Sequence, residues 1–310
     1  MNNKTDSLNS SMSISSADEG LKKIAIITEI RTKIQEVKDL PTLPSIAFEV
    51  LKVAGKPNSS TNDLARVMEV DVALTGKILR TANSAYYGVP RKIDSLRMAL
   101  VVMGMDEISN LVTTASILKA FPDDSGSDDW DPKYFWFHSA AVAELTVGLY
   151  DVLNLPKSTG AYVAGILHDV GQLMLHQYFN KYRVACTDYS KKEDVPSFRA
   201  ELELLGVDHG HIGAWLIQRW NLPEEISIAV AQHHIRPADA PQYGLATVID
   251  FADRLFHKMY NRAPEKVIEE LREDKEWREW VGSRASTTAT LVQELNGRIE
   301  RATRLLDIMK

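Results

Sequence analysis

The sequence predicts an all-α protein, a two-lobed helical bundle, on three observations. Apolar residues recur at helical spacing with cap residues between them, no alternating strand pattern of useful length competes, and one acidic, Pro-bounded segment divides the chain before its middle. Residues 1–20 are rich in Ser and Asn and poor in large apolar side chains, so they read as a flexible tail. A first helical lobe is expected over 21–122. Pro44-Ser45 precedes Ile46, Val50 and Leu51, Thr61 precedes Leu64, Val67 and Met68, and Ser95 precedes Leu96, Ala99, Leu100 and Met103. Turn residues fall between these helices, in Gly55-Lys56-Pro57-Asn58 and Gly88-Val89-Pro90. Residues 123–132, with four Asp before the closing Asp131-Pro132, are the expected linker loop. A second helical lobe is expected over 133–262. Over 263–310 a charged stretch ends in Leu291, Leu295, Ile299 and Leu306, which predicts one or two amphipathic helices packing back on the body.

Composition narrows the function classes. With 36 Lys+Arg against 42 Asp+Glu the net charge is −6, and no basic stripe is present to neutralise a phosphate backbone, which argues against nucleic acid as a partner. No run of about 18 apolar residues exists, so no membrane span is expected. Cys186 is the only cysteine and the first residues lack the charged-then-apolar pattern of a signal peptide, so the reducing cytoplasm is the expected location. Cys186 has only Lys181 and Arg183 nearby as basic neighbours, which leaves a reactive thiolate open but without support.

Eight histidines are present, His138, His168, His176, His209, His211, His233, His234 and His257, and every one falls in the second lobe. Such clustering points to a shared task. His168-Asp169 follows the small, apolar run Ala161 to Leu167, and an ionisable pair in a buried helix is costly without a compensating charge. A metal ion supplies that charge, with neutral imidazole and carboxylate as its ordinary ligands. Taken alone, His233-His234 before Pro237 reads equally well as an exposed helix end.

Together, Phe137-His138-Ser139, Gly165-Ile166-Leu167-His168-Asp169-Val170-Gly171, His209-Gly210-His211-Ile212-Gly213, His233-His234 and Ala252-Asp253-Arg254-Leu255 resemble the ordered signature of the HD superfamily. The run from Asp208 to Pro223 resembles the HDOD branch in particular, as do Leu40-Pro41-Thr42-Leu43-Pro44 and Leu79 to Gly88 in the first lobe. This resemblance covers residues from about 34 to 255 and implies an HD-superfamily helical core, a bacterial signalling role and a metal site. Carried over position by position, it implies His138, His168, Asp169, His209, His233, His234 and Asp253 as ligands of two ions, with Asp169 bridging. Asp250 competes with Asp253 for the last place, although the Ala-Asp-Arg-Leu context favours Asp253. A nitrogen-rich set with a bridging carboxylate suits iron, manganese, nickel or zinc rather than calcium or magnesium, and the resemblance favours iron.

The chain departs from the related HD-GYP phosphodiesterases at three places. Gln172 stands where they carry a Lys that pairs with phosphate, the loop from Ile235 to Gly244 replaces the GYP motif, and Tyr134 stands where some members supply a Glu to a third ion. Activity on a cyclic dinucleotide is therefore doubtful. The leading expectation is an HDOD-type regulatory module acting with signalling proteins and binding a nucleotide or other phosphate-containing ligand. The alternative is a metal-dependent phosphohydrolase or phosphodiesterase, with Arg236 and Gln172 as phosphate contacts. A DNA-binding reading of the first lobe is weaker, since its Lys and Arg are not concentrated on one helix. Trp215 and Trp220 read as packing anchors between lobes, Asn83-Ser84 as a helix end, and His176 and His257 as surface residues.

Overall fold

The computed structural model describes residues 5–36, 40–56, 58–84, 87–121, 130–156, 158, 160–234, 244–281 and 288–309, and among these every regular element is a helix. The chain opens with α1 (Thr5–Glu36) and continues through α2 (Ser45–Ala54), α3 (Thr61–Met68), α4 (Val72–Ala82), α5 (Leu96–Met103) and α6 (Met105–Ala120). Caps set these boundaries. Ser60, not Thr61, is the N-cap of α3 and forms a capping box with Asp63, while Asp71 and Ser95 cap α4 and α5 by accepting from Leu74 N and Met98 N. Asn83 ends α4, and its amide donates to the Ile93 carbonyl while its oxygen accepts from Ile93 N, which ties the following loop to the helix end.

The second half begins at α7 (Pro132–Val152), where Asp131 is the N-cap and Pro132 takes the first helical position. The expected linker of 123–132 is therefore shorter at its end, and its acidic part, 123–129, lies outside the described residues. Then follow α8 (Ala161–Leu167), α9 (Val170–Tyr178), α10 (Asn180–Glu193), α11 (Ser197–Leu205), α12 (His209–Arg219), α13 (Glu224–Gln232) and α14 (Leu245–Met259). Last come α15 (Pro264–Glu273), α16 (Lys275–Val281) and α17 (Thr288–Met309), one helix more than expected over 263–310. α7 is buried almost all round, as expected of a helix apolar on every face.

Two cores result. The smaller gathers Val50, Leu64, Met68, Ile78, Leu100 and Ile108 from α2 to α6, with Leu305 of α17 inserted from the far end of the chain. The larger is built on α7, α8, α12 and α14 and also takes Ile30 and Ile34 of α1, Leu40 and Leu43.

From Thr5 the backbone of the segment expected to be a flexible tail is helical and continuous with the part of α1 that buries Ile30 and Ile34. Once that packed half is nucleated, extending the helix toward Thr5 adds one hydrogen bond per residue, and no Pro interrupts it. α1 and the 40–43 segment also belong to the second lobe's core rather than the first, because Trp220 Nε1 donates to the Pro41 carbonyl at 2.7 Å and Arg219 donates to the Ile34 carbonyl. Trp220 thus anchors the sequence-distant segment, with Phe121 of the first lobe's last turn 5.9 Å from its ring. No helix among the described residues is long and apolar enough to cross a membrane.

Candidate metal centre

His168 and Asp169 lie in a two-residue break between α8 and α9, not inside one helix as expected. Asp169 has φ −99° and ψ 6°, the sparsely populated bridge region where residues that must aim a side chain are often found. Close backbone approach makes the rest of the site. A Cβ on Gly171 would stand 1.9 Å from the His209 carbonyl oxygen, so only glycine lets α9 lie against the start of α12. Likewise a Cβ on Gly165 would stand 2.6 Å from the Ala143 Cα, which sets α8 against α7 one to two turns from His138. α13 and its C-cap bring His233 and His234, and α14 brings Asp253.

The seven expected side chains converge in two groups that share one wall. Asp169, His209, His233 and His234 form the first, and His138, His168 and Asp253 the second. Asp169 faces both. Its Oδ1 lies 3.1 Å from His209 Nε2 and 3.6 Å from His233 Nε2, while its Oδ2 lies 3.4 Å from His168 Nε2 and 3.5 Å from His138 Nε2. Asp253 Oδ1 is 3.2 Å from His138 Nε2, the two imidazole nitrogens of His138 and His168 are 3.2 Å apart, and those of His209 and His234 are 3.0 Å apart. Donors around an ion with ~2.1 Å bonds stand roughly 3.0 to 3.4 Å from one another, so most of these spacings match the edges of a coordination shell.

Hydrogen bonding points the same way. His168 Nδ1 lies 2.7 Å from the Gly165 carbonyl, His233 Nδ1 2.7 Å from the Val230 carbonyl, and His209 Nδ1 2.7 Å from Glu201 Oε2. Each of these contacts needs the proton on Nδ1, which turns the Nε2 lone pair toward Asp169. Asp169 Oδ1, Asp253 Oδ1 and His233 Nε2 are buried without a hydrogen bond of good geometry, although His209 Nε2 and His138 Nε2 stand 3.1 and 3.2 Å from the two carboxylate oxygens. Buried polar atoms are rarely left so, and a cation would satisfy Asp169 Oδ1 and His233 Nε2, 3.6 Å apart in the first group, and Asp253 Oδ1 in the second. The residues present therefore fit a metal.

Protons on the histidines also balance the carboxylates. Burial opposes ionisation of His138, but hydrogen bonds and charge from Asp169 and Asp253 outweigh it and raise its pKa to about 9. Burial likewise opposes charge on His209, where Glu201 and Asp169 win and push it well up. His168 is lowered to about 4 by burial, with His138 and His233 adding to the effect. His234 falls to about 2 through burial and its two histidine neighbours. Both aspartates are held well below the usual carboxylate range against the cost of burial, Asp169 by His168, His138, His209 and His233, Asp253 by His138 and His257.

Around this centre the other candidates separate. Asp250 pairs with Arg254 at 3.1 Å and stands in neither group. Gln172 is half-buried, its backbone N–H bonded to the Asp169 carbonyl. Arg236 lies in 235–243, outside the described residues. Tyr134 stacks over His138 with ring centroids 6.4 Å apart. His176 is not on the surface but buried against Trp130, 4.6 Å away. His257 is largely exposed as expected, yet it touches the centre, stacked on His138 at 5.2 Å with Nε2 3.5 Å from Asp253 Oδ1. Cys186 is buried, and burial pushes its thiol up to about 12. Glu201 was not foreseen at all. Its oxygen also accepts from the His209 backbone N–H at 2.7 Å, and nothing in Ser197 to Leu205 marks it apart from an ordinary amphipathic helix.

An all-helical lobe that buries such a histidine and aspartate cluster around one two-faced carboxylate defines an HD-type domain. The HDOD domain model matches residues 40–236, and the chain belongs to that family. An uncharacterized protein of Treponema pallidum (strain Nichols) is 25% identical over 240 residues, 75% of this chain, which spans 45% of that relative's length. Among solved structures, an HDOD domain protein of unknown function from Geobacter sulfurreducens is 24% identical with a TM-score of 0.72, covering 92% of this chain and 98% of that one. A candidate phosphohydrolase of Shewanella amazonensis is 23% identical with a TM-score of 0.67, covering 89% and 97%. A candidate signal transduction protein of Marinobacter aquaeolei is 20% identical with a TM-score of 0.68, covering 93% and 66%. These structures share the fold.

Proposed function

We propose that this chain is an HDOD regulatory module whose second lobe would hold two transition-metal ions, with Asp169 between the two donor groups. The observation that carries the reading is Asp169 itself, with Oδ1 facing His209 and His233 and Oδ2 facing His138 and His168. His209, His233 and His234 would hold one ion, and His138, His168 and Asp253 the other. Iron is the first choice, with manganese, nickel and zinc compatible with the same donors. The regulatory reading rests on the neutral Gln172 in place of a phosphate-pairing lysine, and on a replaced GYP motif. Its partners are signalling proteins of the cytoplasm.

A second reading, hydrolysis of a phosphate ester, is favoured by the mouth of the centre. His257 and Tyr134 are exposed beside His138, and His234 is only partly buried, so a small ester can reach the donors. When bound, two such ions supply an acidified water and charge stabilisation for displacement at phosphorus. The chain's own contribution is orientation: Glu201 and the Gly165 and Val230 carbonyls fix the ring tautomers, and Phe256 and His168 wall His138. The test is metal content per chain, and turnover of p-nitrophenyl phosphate and its bis-ester, for the wild type and Asp169→Ala purified without oxygen. Metal in the wild type alone, with no turnover, supports the module. Turnover lost in the variant selects the hydrolase. Metal-free, folded wild type overturns both.

A further inference from the structure

A cleft of about 870 Å³ opens between the lobes, away from the metal donors, where α2, α4, α6, α7 and α17 meet. Its walls are carbon, from Ile46, Leu74, Leu118, Phe137 and Leu306. Among the described residues its charged groups are Lys77, Lys119 and Lys133 against Asp71 and Asp307, a cationic excess on a protein of net charge −6. Asp71 is already engaged as the N-cap of α4, with Oδ1 accepting from Leu74 N at 2.9 Å. Lys119 and Lys133 are exposed, and no described acidic side chain forms an ion pair with either. Ser116 and Thr303 add hydroxyls to the wall.

We propose that this cleft is a second ligand site, which takes a small amphipathic organic anion with its apolar body among Ile46, Leu118 and Leu306 and its anionic head toward Lys119 and Lys133. The volume lies within the range of small-molecule sites, and their usual place is an interface between structural units with a few polar groups fixing orientation. Burying a ligand's carbon against these side chains supplies affinity, and the two ammonium groups select the sign of the head. A ligand there also touches the metal lobe. Phe137 lines the cleft, its ring packs 5.7 Å from Phe256 on the helix that carries Asp253, and the next residue on α7 is His138.

The probe is 1-anilinonaphthalene-8-sulfonate, itself an amphipathic anion, titrated by fluorescence into the full chain with decanoate and dodecyl phosphate as competitors. Saturable binding near one equivalent is expected, displaced by the amphiphile whose head group the site prefers. The double variant Lys119→Glu, Lys133→Glu should weaken it about tenfold, since two attractive contacts become repulsive. Ala115→Trp, which fills the wall, should abolish it. Near-ultraviolet circular dichroism and the thermal midpoint report whether each variant is folded. Should Ala115→Trp fail to fold, the exposed lysine pair decides alone. Binding that the charge reversal leaves unchanged, or absence of saturable binding to the folded wild type, overturns the proposal.

Discussion

The two lobes bury different chemistry. In the first lobe's core the buried polar groups are hydroxyls, Thr81, Ser109, Thr113, Thr114 and Ser116, and its stability comes from packed side chains such as Leu64 and Ile78. In the second lobe five imidazoles and several carboxylates are buried, among them His168, His209 and His233 at 0% exposure. Both lobes are helical bundles built from similar caps and similar apolar spacing. The difference teaches that the second lobe carries a cost that packing alone does not offset, since buried ionisable groups are expensive unless something pairs with them. Asp169, Asp253 and the histidine Nε2 atoms form two groups that could hold a cation.

The comparison breaks most sharply at Gly171. Gly171→Ala puts a Cβ against the His209 carbonyl, and urea unfolding should show a loss of more than about 4 kcal/mol, with loss of bound metal. Leu64→Ala, fully buried in the first lobe, should cost ~2 to 5 kcal/mol and leave metal content unchanged. If that substitution strips metal, the lobes are one cooperative unit and the contrast between them fails.

A further prediction concerns pH. Glu144 on α7 is buried, and burial, then the charge of Glu107, raises its pKa from 4.5 to about 7, with Arg301 and Arg298 offsetting part of the effect. Between those values the folded chain keeps the proton and the unfolded chain releases it. Its contribution to stability is therefore complete below pH 4.5 and is lost as pH rises through about 7, a fall of ~3 kcal/mol. Urea midpoints at pH 5 and pH 8 should show this fall in the wild type and its absence in Glu144→Gln.

The smallest expected effect is at Glu201. Glu201→Gln leaves the fold and the seven donors in place but weakens the partner of His209 Nδ1, and metal affinity measured by chelator competition should drop about 10- to 100-fold. An unchanged affinity would mean that His209 needs no orienting carboxylate.

Much of this was legible in the sequence, for identifiable reasons. Helix starts follow from local chemistry, and Ser95 stands as cap where expected. The candidate donors stand out in the sequence because His138, His168-Asp169, His209, His233-His234 and Asp253 occur in the order of the HD signature, and the structure brings these side chains together. What stayed hidden depends on tertiary contact. Glu201 sits in an amphipathic helix, where a glutamate ordinarily faces water, and only the approach of α12 buries it. The break at His168-Asp169 has no Pro to announce it. The assignment of α1 and the 40–43 segment to the second lobe rests on contacts from Arg219 to Ile34 and from Trp220 to Pro41, about 180 residues apart along the chain.

The central claim is that Asp169 joins two ions, and manganese tests it directly. The chain is stripped with a chelator, reloaded with Mn(II), and its ion content and low-temperature electron paramagnetic resonance spectrum are measured. Two ions per chain with an exchange-coupled spectrum, collapsing in Asp169→Ala, is the predicted result. A single ion with the six-line spectrum of isolated Mn(II) would contradict it.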